Sequence, residues 1–254
     1  MLRRALHLSR LFLFSPVRAA KASRQEDNFV PCLAIYLAFT LGYMLFFRFK
    51  PFDFPDQNAA FPREPQTLMF WFKTMLWQPP LEAAWVAFLL GLAAWFRSGR
   101  LPARLLGAVA WCAAPFVLMA AYAAHAGIGK AALAAGSLVW LGLFLPLWLR
   151  ATRAEALPVL NFMLGVNAVG AAVLAPMILA VWLRGSALFM AAQAAGGFWI
   201  LGCATLGLRE LTGLRLPRAF MAVLLSMFFQ IALAFTLHLL GVVPKDILKA
   251  LLYA

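Results

Sequence analysis

The polar side chains that lie well inside the apolar stretches of this sequence are amides. There are four of them, Asn161, Asn167, Gln193 and Gln230. An amide in lipid seeks a hydrogen-bond partner on a neighbouring helix, and this contact between helices is the interpretation that we favour. The alternative is that the four side chains line a polar path for a small molecule. They are therefore the candidate intramembrane polar contacts.

Ionisable groups inside a bilayer are costly and usually mark a function. The predicted spans contain no Asp, Lys or Arg, and the sequence pattern places Glu82 at the edge of the second span and His238 near the outer end of the last one. A proton-driven carrier normally needs an acidic group near the bilayer midplane. With Glu82 at an edge the chain has none, which disfavours driven transport.

Catalytic and metal-binding motifs are absent from the sequence: there is no HExxH, GxSxG or phosphate-binding loop, and no metal-binding spacing of His and Cys. The three cysteines lie far apart within apolar runs, which is typical of buried free thiols. The longest loop, Arg48–Thr67, carries Asp53 and Asp56, which we interpret as solvated turn acids. We predict a protein that is not an enzyme and that binds no cofactor and no metal.

Composition indicates that these side chains are held in a bilayer. Of the 254 residues, 65% are hydrophobic and 12% are charged, and the mean hydropathy is +0.86. Soluble domains are nearer half apolar and about a quarter charged. The net charge of +13 comes from short clusters between apolar runs, not from a basic stripe with interleaved aromatic residues. We expect a lipid bilayer as partner and no nucleic acid.

Seven apolar runs approach the roughly 20 residues that a membrane span requires. The second run is short and follows Pro79-Pro80, and we interpret the aromatic stretch before it, Met69–Trp77, as an interfacial segment. Five or six spans are the alternatives if the second run is re-entrant or the fifth is irregular. The predicted fold is an all-α polytopic transmembrane helix bundle, with a single domain over residues 29–243. Its runs are Phe29–Phe47, Leu81–Phe96, Leu105–Ala123, Ala131–Leu149, Val159–Leu183, Ser186–Leu208 and Ala219–Val243.

The basic residues predict an orientation for seven spans. With the N-terminus in the cytoplasm, 14 of the 22 Lys and Arg residues fall in inner segments and 8 fall in outer segments. Cytoplasmic loops of membrane proteins carry such an excess. We therefore predict a multi-pass protein of the inner cell membrane with a cytoplasmic N-terminus, and a short C-terminal tail, residues 244–254, on the other side.

Residues 1–28 have the pattern of a basic amphipathic segment. Arg3 and Arg10 fall on one helical stripe and Leu6 lies away from it, which is typical of a helix on a membrane surface. Ser15-Pro16 predicts a break, because Ser can cap a helix and Pro can begin the next one. We expect this segment on the cytoplasmic leaflet. A mitochondrial presequence is the alternative.

A spacing of 17 or 18 residues between a Trp and a Leu-Pro pair recurs three times. The pattern predicts one leading helix followed by three related hairpins, with each Pro in the first turn of a helix. The alternative is a chance alignment of Leu-rich helices. The pairs are Trp85 with Pro102, Trp140 with Pro158, and Trp199 with Pro217.

Leu11–Phe47 has a Ser-Pro start before the first span, Leu101–Pro115 (LPARLLGAVAWCAAP) has a proline well into its span, and Trp199–Phe229 has the pattern of a hairpin. In these three stretches the chain resembles the opening, the central helix and the closing hairpin of the bacterial Yip-domain family. The family is named for eukaryotic membrane proteins that interact with Rab-type GTPases. The resemblance implies a role in membrane organisation, with a membrane or cytoplasmic protein as partner.

The chain departs from this family in having more spans and in lacking a long acidic N-terminal region. Our first hypothesis is a non-enzymatic multi-pass membrane protein of the Yip-like type that acts as a partner-binding scaffold. The alternative is a small channel, carrier or transporter membrane subunit, in which Asn161, Asn167, Gln193 and Gln230 converge on a wet cavity.

Overall fold

A computed structural model of the chain describes residues 1–51, 53–54, 67–124, 129–150 and 153–253. In these ranges every regular element is helical and no strand occurs, which confirms the predicted all-α fold. A short 3₁₀ helix, Glu26–Asn28, accompanies ten α-helices. These are α1 (Leu2–Phe14), α2 (Pro16–Ser23), α3 (Phe29–Phe49), α4 (Leu68–Phe96), α5 (Leu101–Ala123), α6 (Lys130–Arg150), α7 (Arg153–Trp182), α8 (Ser186–Thr212), α9 (Leu216–Leu239) and α10 (Lys245–Tyr253).

The helices α3 to α9 are each long and apolar enough to cross a membrane. Within the described residues this confirms the predicted count of seven, and the chain is a multi-pass membrane protein whose apolar helices contact lipid. Six of these helices begin and end within six residues of the predicted runs. Hydropathy locates them well because a span must be apolar over most of the hydrocarbon thickness.

The exception is α4, which runs without a break for 29 residues and contains Pro79 and Pro80. The predicted division into an interfacial segment, Met69–Trp77, and a short span, Leu81–Phe96, was therefore wrong. Prolines remove helical donors, but a helix within a bilayer tolerates them because non-helical backbone in lipid costs more. Glu82 is consequently not at the edge of a span but at the centre of α4, with 14 residues on either side.

The long helices pack as two groups. The first group contains α3, α7 and α8 together with α1 and α2, and the second contains α4, α5, α6 and α9. Contacts of α8 with α9 and of α4 with α7 join the two groups, and one hydrophobic core extends through both. The predicted pairing of α6 with α7 as a hairpin is not reflected in the packing, because α6 packs on α4 and α5 while α7 packs on α3 and α8.

Glycines let large aromatic rings enter the helix interfaces of the first group. Phe12 and Phe162 are both fully buried, with ring centroids 5.3 Å apart. A Cβ atom on Gly165 would lie 2.1 Å from the Phe12 ring, and one on Gly207 would lie 2.1 Å from the Phe162 ring. Small residues thus provide the close approach that packing in a bilayer depends on.

The N-terminal segment folds as the two helices α1 and α2, with the break at Ser15 and Pro16 where the sequence predicts it. Leu8 and Phe12 on α1 are buried against the bundle, while Leu6 and Arg10 are exposed. The helix therefore has a packed face in addition to the apolar and basic faces expected of a surface helix.

Several turns between spans meet the N-terminal segment at one end of the bundle, which we call the basic end. Basic side chains connect these segments to one another by ion pairs and by hydrogen bonds to carbonyl oxygens. The contacts are Arg24 with the Glu210 carbonyl (3.0 Å), Lys21 with the Glu210 carboxylate (3.9 Å), Arg97 with the Glu155 carboxylate, and Arg218 with the Phe96 and Gly99 carbonyls (2.7 and 2.8 Å).

The prolines of the predicted repeat differ in their positions. Pro102 and Pro217 are the second residues of α5 and α9, as predicted. Pro158 is the sixth residue of α7, because that helix begins at Arg153, so its predicted place in a first turn was wrong.

Candidate intramembrane binding site

A polar recess lies where the two groups of helices meet, between α3 and α4 and in front of α7. Its empty space is about 490 Å³, including the part that is open to the outside. Both polar and aromatic side chains face it. The lining residues are Tyr36, Phe39, Thr40, Tyr43 and Met44 from α3, Trp71, Thr74, Met75, Gln78 and Glu82 from α4, and Asn167 from α7.

Helical spacing explains why α4 presents several polar groups to the same recess. Thr74, Gln78 and Glu82 are separated by four residues each, so they lie above one another on one helix face. Tyr36 and Thr40 are related in the same way on α3. This arrangement on α4 requires that the helix continue through Pro79 and Pro80, as it does.

Glu82 lies within the hydrocarbon for every position of a core that α4 spans completely. A helix of 29 residues is about 43 Å long, and the hydrocarbon core is roughly 30 Å thick. Because Glu82 is about 21 Å from each end of the helix, at least roughly 7 Å of hydrocarbon separates it from either interface. The expectation that the spans lack an acidic group was therefore wrong, and its cause was the misplaced start of α4.

The carboxyl group of Glu82 has no ion-pair partner among the described residues. Its Oε1 atom is buried and makes no hydrogen bond in that part of the chain. The hydroxyl of Tyr36, in the same recess, is likewise buried without a partner there. Buried polar groups are normally paired, and an intramembrane ionisable residue is by default a functional-site hypothesis.

Three other polar side chains that line the recess have their donors bonded to their own helices. Thr40, Thr74 and Asn167 each donate a hydrogen bond to a carbonyl one turn earlier in their own helix, at 2.7, 3.0 and 3.1 Å. Because their protons are engaged with the backbone, the two hydroxyl oxygens and the amide oxygen remain as acceptors. Together with the Glu82 carboxylate they give the recess four acceptor groups, beside the O–H of Tyr36 and the N–H groups of Gln78.

Aromatic side chains form much of the remaining lining. Phe39 and Tyr43 lie with ring centroids 5.5 Å apart on α3, and Trp71 on α4 packs against Phe47 at 5.8 Å. The Phe39 ring sits against Gly170 of α7, where a Cβ atom would lie 2.6 Å from it. The close approach of α3 and α7 at this glycine therefore holds the ring in place beside the recess.

The four amides predicted as intramembrane contacts do not converge on one cavity. Asn167 lines the recess. Asn161 is fully buried and donates to the Ser23 carbonyl oxygen at 3.2 Å, and Gln230 donates to the Leu81 carbonyl oxygen, also at 3.2 Å. Gln193 is half-buried on α8 and makes no hydrogen bond with the described residues. Asn161 and Gln230 thus connect helices, which is the interpretation that the sequence favours.

The remaining candidate groups lie away from the recess. The His238 Nδ1 bonds to the Val243 carbonyl oxygen at 2.8 Å, and Asp53 pairs with Arg184 at 3.1 Å. Asp56 lies outside the described residues. Cys32, Cys112 and Cys203 are buried free thiols, as predicted. Within the described ranges, no three His, Cys, Asp or Glu side chains lie close enough together to hold a metal.

Sequence reasoning missed most of the recess. Tyr36, Thr40, Thr74 and Gln78 were not candidates, and Glu82 was a candidate only for an edge position. The spacing of Thr74, Gln78 and Glu82 was the available signal, and it becomes visible once Pro79 and Pro80 are allowed inside a helix.

The chain matches no family model, no curated protein and no solved structure.

Proposed function

We propose that the chain is a non-enzymatic carrier-type membrane protein that binds a small solute in the recess between α3 and α4. The single observation that supports this proposal is the carboxyl group of Glu82, which lies at the centre of α4 and whose Oε1 atom is buried without a hydrogen-bond partner among the described residues. Binding sites of transporters lie near the bilayer midplane, where helices from two structural units meet. The recess occupies such a position, at the boundary between the two groups of helices.

The proposal requires that a dissolved molecule can enter the recess. Gln78→Cys should react with a cationic, membrane-impermeant methanethiosulfonate reagent in proteoliposomes. Leu76→Cys is the matched control, because Leu76 is two residues away on the same helix and its side chain is 59% exposed on the outer surface of the bundle, where lipid surrounds it. Mass spectrometry of the modified peptides would give the rate at each position.

We expect residue 78 to react at least about tenfold faster than residue 76, because a thiolate in water is the reactive form and lipid suppresses it. Equal and negligible rates at both positions would show that the recess is closed to dissolved molecules. The carrier proposal would then be wrong.

A partner-binding scaffold of the Yip-like type is the second candidate. It is supported by the resemblance of Leu11–Phe47 and Trp199–Phe229 and by the basic end, where Arg100 and Arg215 are exposed and form no ion pair with the described residues. A photo-crosslinker at either position should then capture the same protein in repeated experiments in cells. The control position is Arg184, at the opposite end of the bundle. Recovery of lipid alone from all three positions would exclude the scaffold.

For the orientation we propose that the basic end faces the cytoplasm of an inner cell membrane. Most Lys and Arg residues of the loops fall at this end, and cytoplasmic loops carry that excess. The exposed apolar side chains of Leu2 and Leu6, beside exposed Arg3 and Arg10, suit a helix at the interface of an anionic leaflet.

A further inference from the structure

We infer that the solute bound in the recess is a small organic ammonium ion, held by the carboxylate of Glu82, by the acceptor oxygens around it and by the aromatic lining. This inference rests on the proposed function, because it names the chemical class that the same site accepts. The recess offers a charge, a hydrogen-bonding pattern and an apolar surface, and together these indicate one class of ligand.

The surroundings of Glu82 indicate that the ligand carries a positive charge. A buried carboxylate needs a partner, and no Lys, Arg or His among the described residues forms an ion pair with it. A cationic ligand would provide that partner, and the attraction is stronger than in bulk water because Oε1 of Glu82 is buried. A neutral or anionic ligand would leave the carboxylate unpaired.

The hydrogen-bonding pattern favours a group with several N–H donors. An ammonium group has three donors and no acceptor. The recess offers the Glu82 carboxylate together with oxygens of Thr40, Thr74 and Asn167, whose own protons are bonded to the backbone. Donors on the ligand and acceptors on the protein are therefore complementary.

The lining distinguishes an organic cation from a metal ion. Metal ions such as Ca²⁺ and Mg²⁺ are held by several hard oxygen ligands, commonly more than one carboxylate, whereas among the described residues Glu82 alone brings a carboxylate to this recess. Tyr36, Phe39, Tyr43 and Trp71 instead supply ring surfaces, which attract organic cations through their π-systems. The empty space of about 490 Å³ includes the part that is open to the outside, so the enclosed part suits a small amine.

Equilibrium binding of radiolabelled benzylammonium to the full chain in lipid nanodiscs tests this inference. Benzyl alcohol is the neutral probe of the same shape, and empty nanodiscs correct for partitioning into lipid. We expect saturable binding of benzylammonium and at least tenfold weaker binding of benzyl alcohol. In Glu82→Gln, which keeps the shape of the side chain but not its charge, benzylammonium affinity should fall at least tenfold.

A matched pair of variants tests the contribution of the aromatic side chains to binding. Phe39→Leu should weaken benzylammonium binding roughly two- to thirtyfold, the range expected when one cation–π contact is lost. Phe72→Leu should leave it unchanged, because Phe72 is exposed on the outer surface of α4 and does not line the recess. The thermal unfolding midpoint of each variant shows that it is folded.

The outcomes separate this inference from the proposed function. Equal affinity for the two probes, or full affinity in Glu82→Gln, would overturn the ammonium assignment but leave a solute-binding recess. The same follows if neither probe binds while Gln78→Cys reacts with the thiol reagent. If neither probe binds and Gln78→Cys is also inert, both the assignment and the carrier proposal are wrong.

Discussion

Glu82 lowers the stability of the folded protein at its position in α4. Its Oε1 atom is buried between three helices and has no hydrogen-bond partner in the described part of the chain. Leaving such a group unpaired costs about 1–3 kcal/mol in folded proteins. Proteins keep destabilising groups of this kind mainly where activity depends on them.

Replacing Glu82 by an apolar side chain of similar length should therefore stabilise the protein. We expect Glu82→Met to raise the thermal unfolding midpoint in detergent by several degrees, since each kcal/mol corresponds to roughly 2–4 °C in a chain of this size. Glu155→Met is the control, because Glu155 pairs with Arg97 at the basic end and its loss should not stabilise. A midpoint for Glu82→Met that is unchanged or lower would mean that the carboxyl group is well solvated or paired.

Single residues show how far the sequence alone could go. It identified Asn161 and Gln230 as contacts between helices, and both make such hydrogen bonds. It could not group Tyr36, Glu82 and Asn167, because these residues lie on three helices far apart in the chain. No spacing rule specifies which helix faces which, so a site assembled from different spans becomes visible only with the packing.

The sequence predicted the helices well where the thickness of the bilayer determines their apolar length. It predicted poorly those features that depend on how the helices pack. Six long helices follow from hydropathy, but the start of α4 was missed because Pro79 and Pro80 normally end a helix in water. The packing of α1 was also beyond the sequence. Phe12 and Phe14 are the same residue type, yet Phe12 is 0% exposed and Phe14 is 77% exposed.

That contrast within α1 gives a prediction for the N-terminal segment. Phe12→Ala should loosen α1 from α7, because the ring packs on Phe162 and against Gly165, and loss of such a core ring typically costs about 3 kcal/mol. Limited trypsin digestion should then cleave after Arg10 or Arg18 faster than in the unaltered protein. Phe14→Ala, which removes an exposed ring from the same helix, should leave the cleavage rate unchanged. Equal rates in the two variants would contradict the packing of α1.

The interface of α7 and α8 gives a second prediction at the level of elements. Gly207→Ala should destabilise the protein by about 1–3 kcal/mol, because the new Cβ atom would lie 2.1 Å from the buried Phe162 ring. Gly202→Ala on the same helix meets nothing within 4 Å and should be neutral or slightly stabilising, since Ala favours a helix. Unfolding midpoints of both variants measure the difference. Destabilisation of the same size in both would show that α8 packs differently.

For the whole molecule, the two groups of helices determine where a ligand can be held. α3 and α7 belong to the first group and α4 to the second, and the recess lies where they meet. Sites between two packed units are common, because neither unit alone fills the space at the boundary. Composition predicts the bilayer and the count of spans, but the division into two groups depends on contacts such as α4 with α6 that skip along the chain.

The orientation of the whole molecule can be tested with fusions in a bacterial host. Alkaline phosphatase, which folds only outside the cytoplasm, should be inactive when fused after Arg100 and active when fused after Arg184. These residues belong to turns at opposite ends of the bundle, and the excess of basic residues predicts that the end with Arg100 stays inside. The reverse pattern of activity would show that the orientation is inverted, and the fold described above would be unaffected.

The hydrogen bonds that Thr40, Thr74 and Asn167 make to their own helices have a consequence for selectivity. The dipoles of these side chains are already aligned before any solute arrives, because the helix backbone and not the ligand orients them. Such a site is preorganised, so little reorganisation energy is lost when a cation enters. Discrimination by charge is then a property of the empty folded protein, and it is set when the helices form.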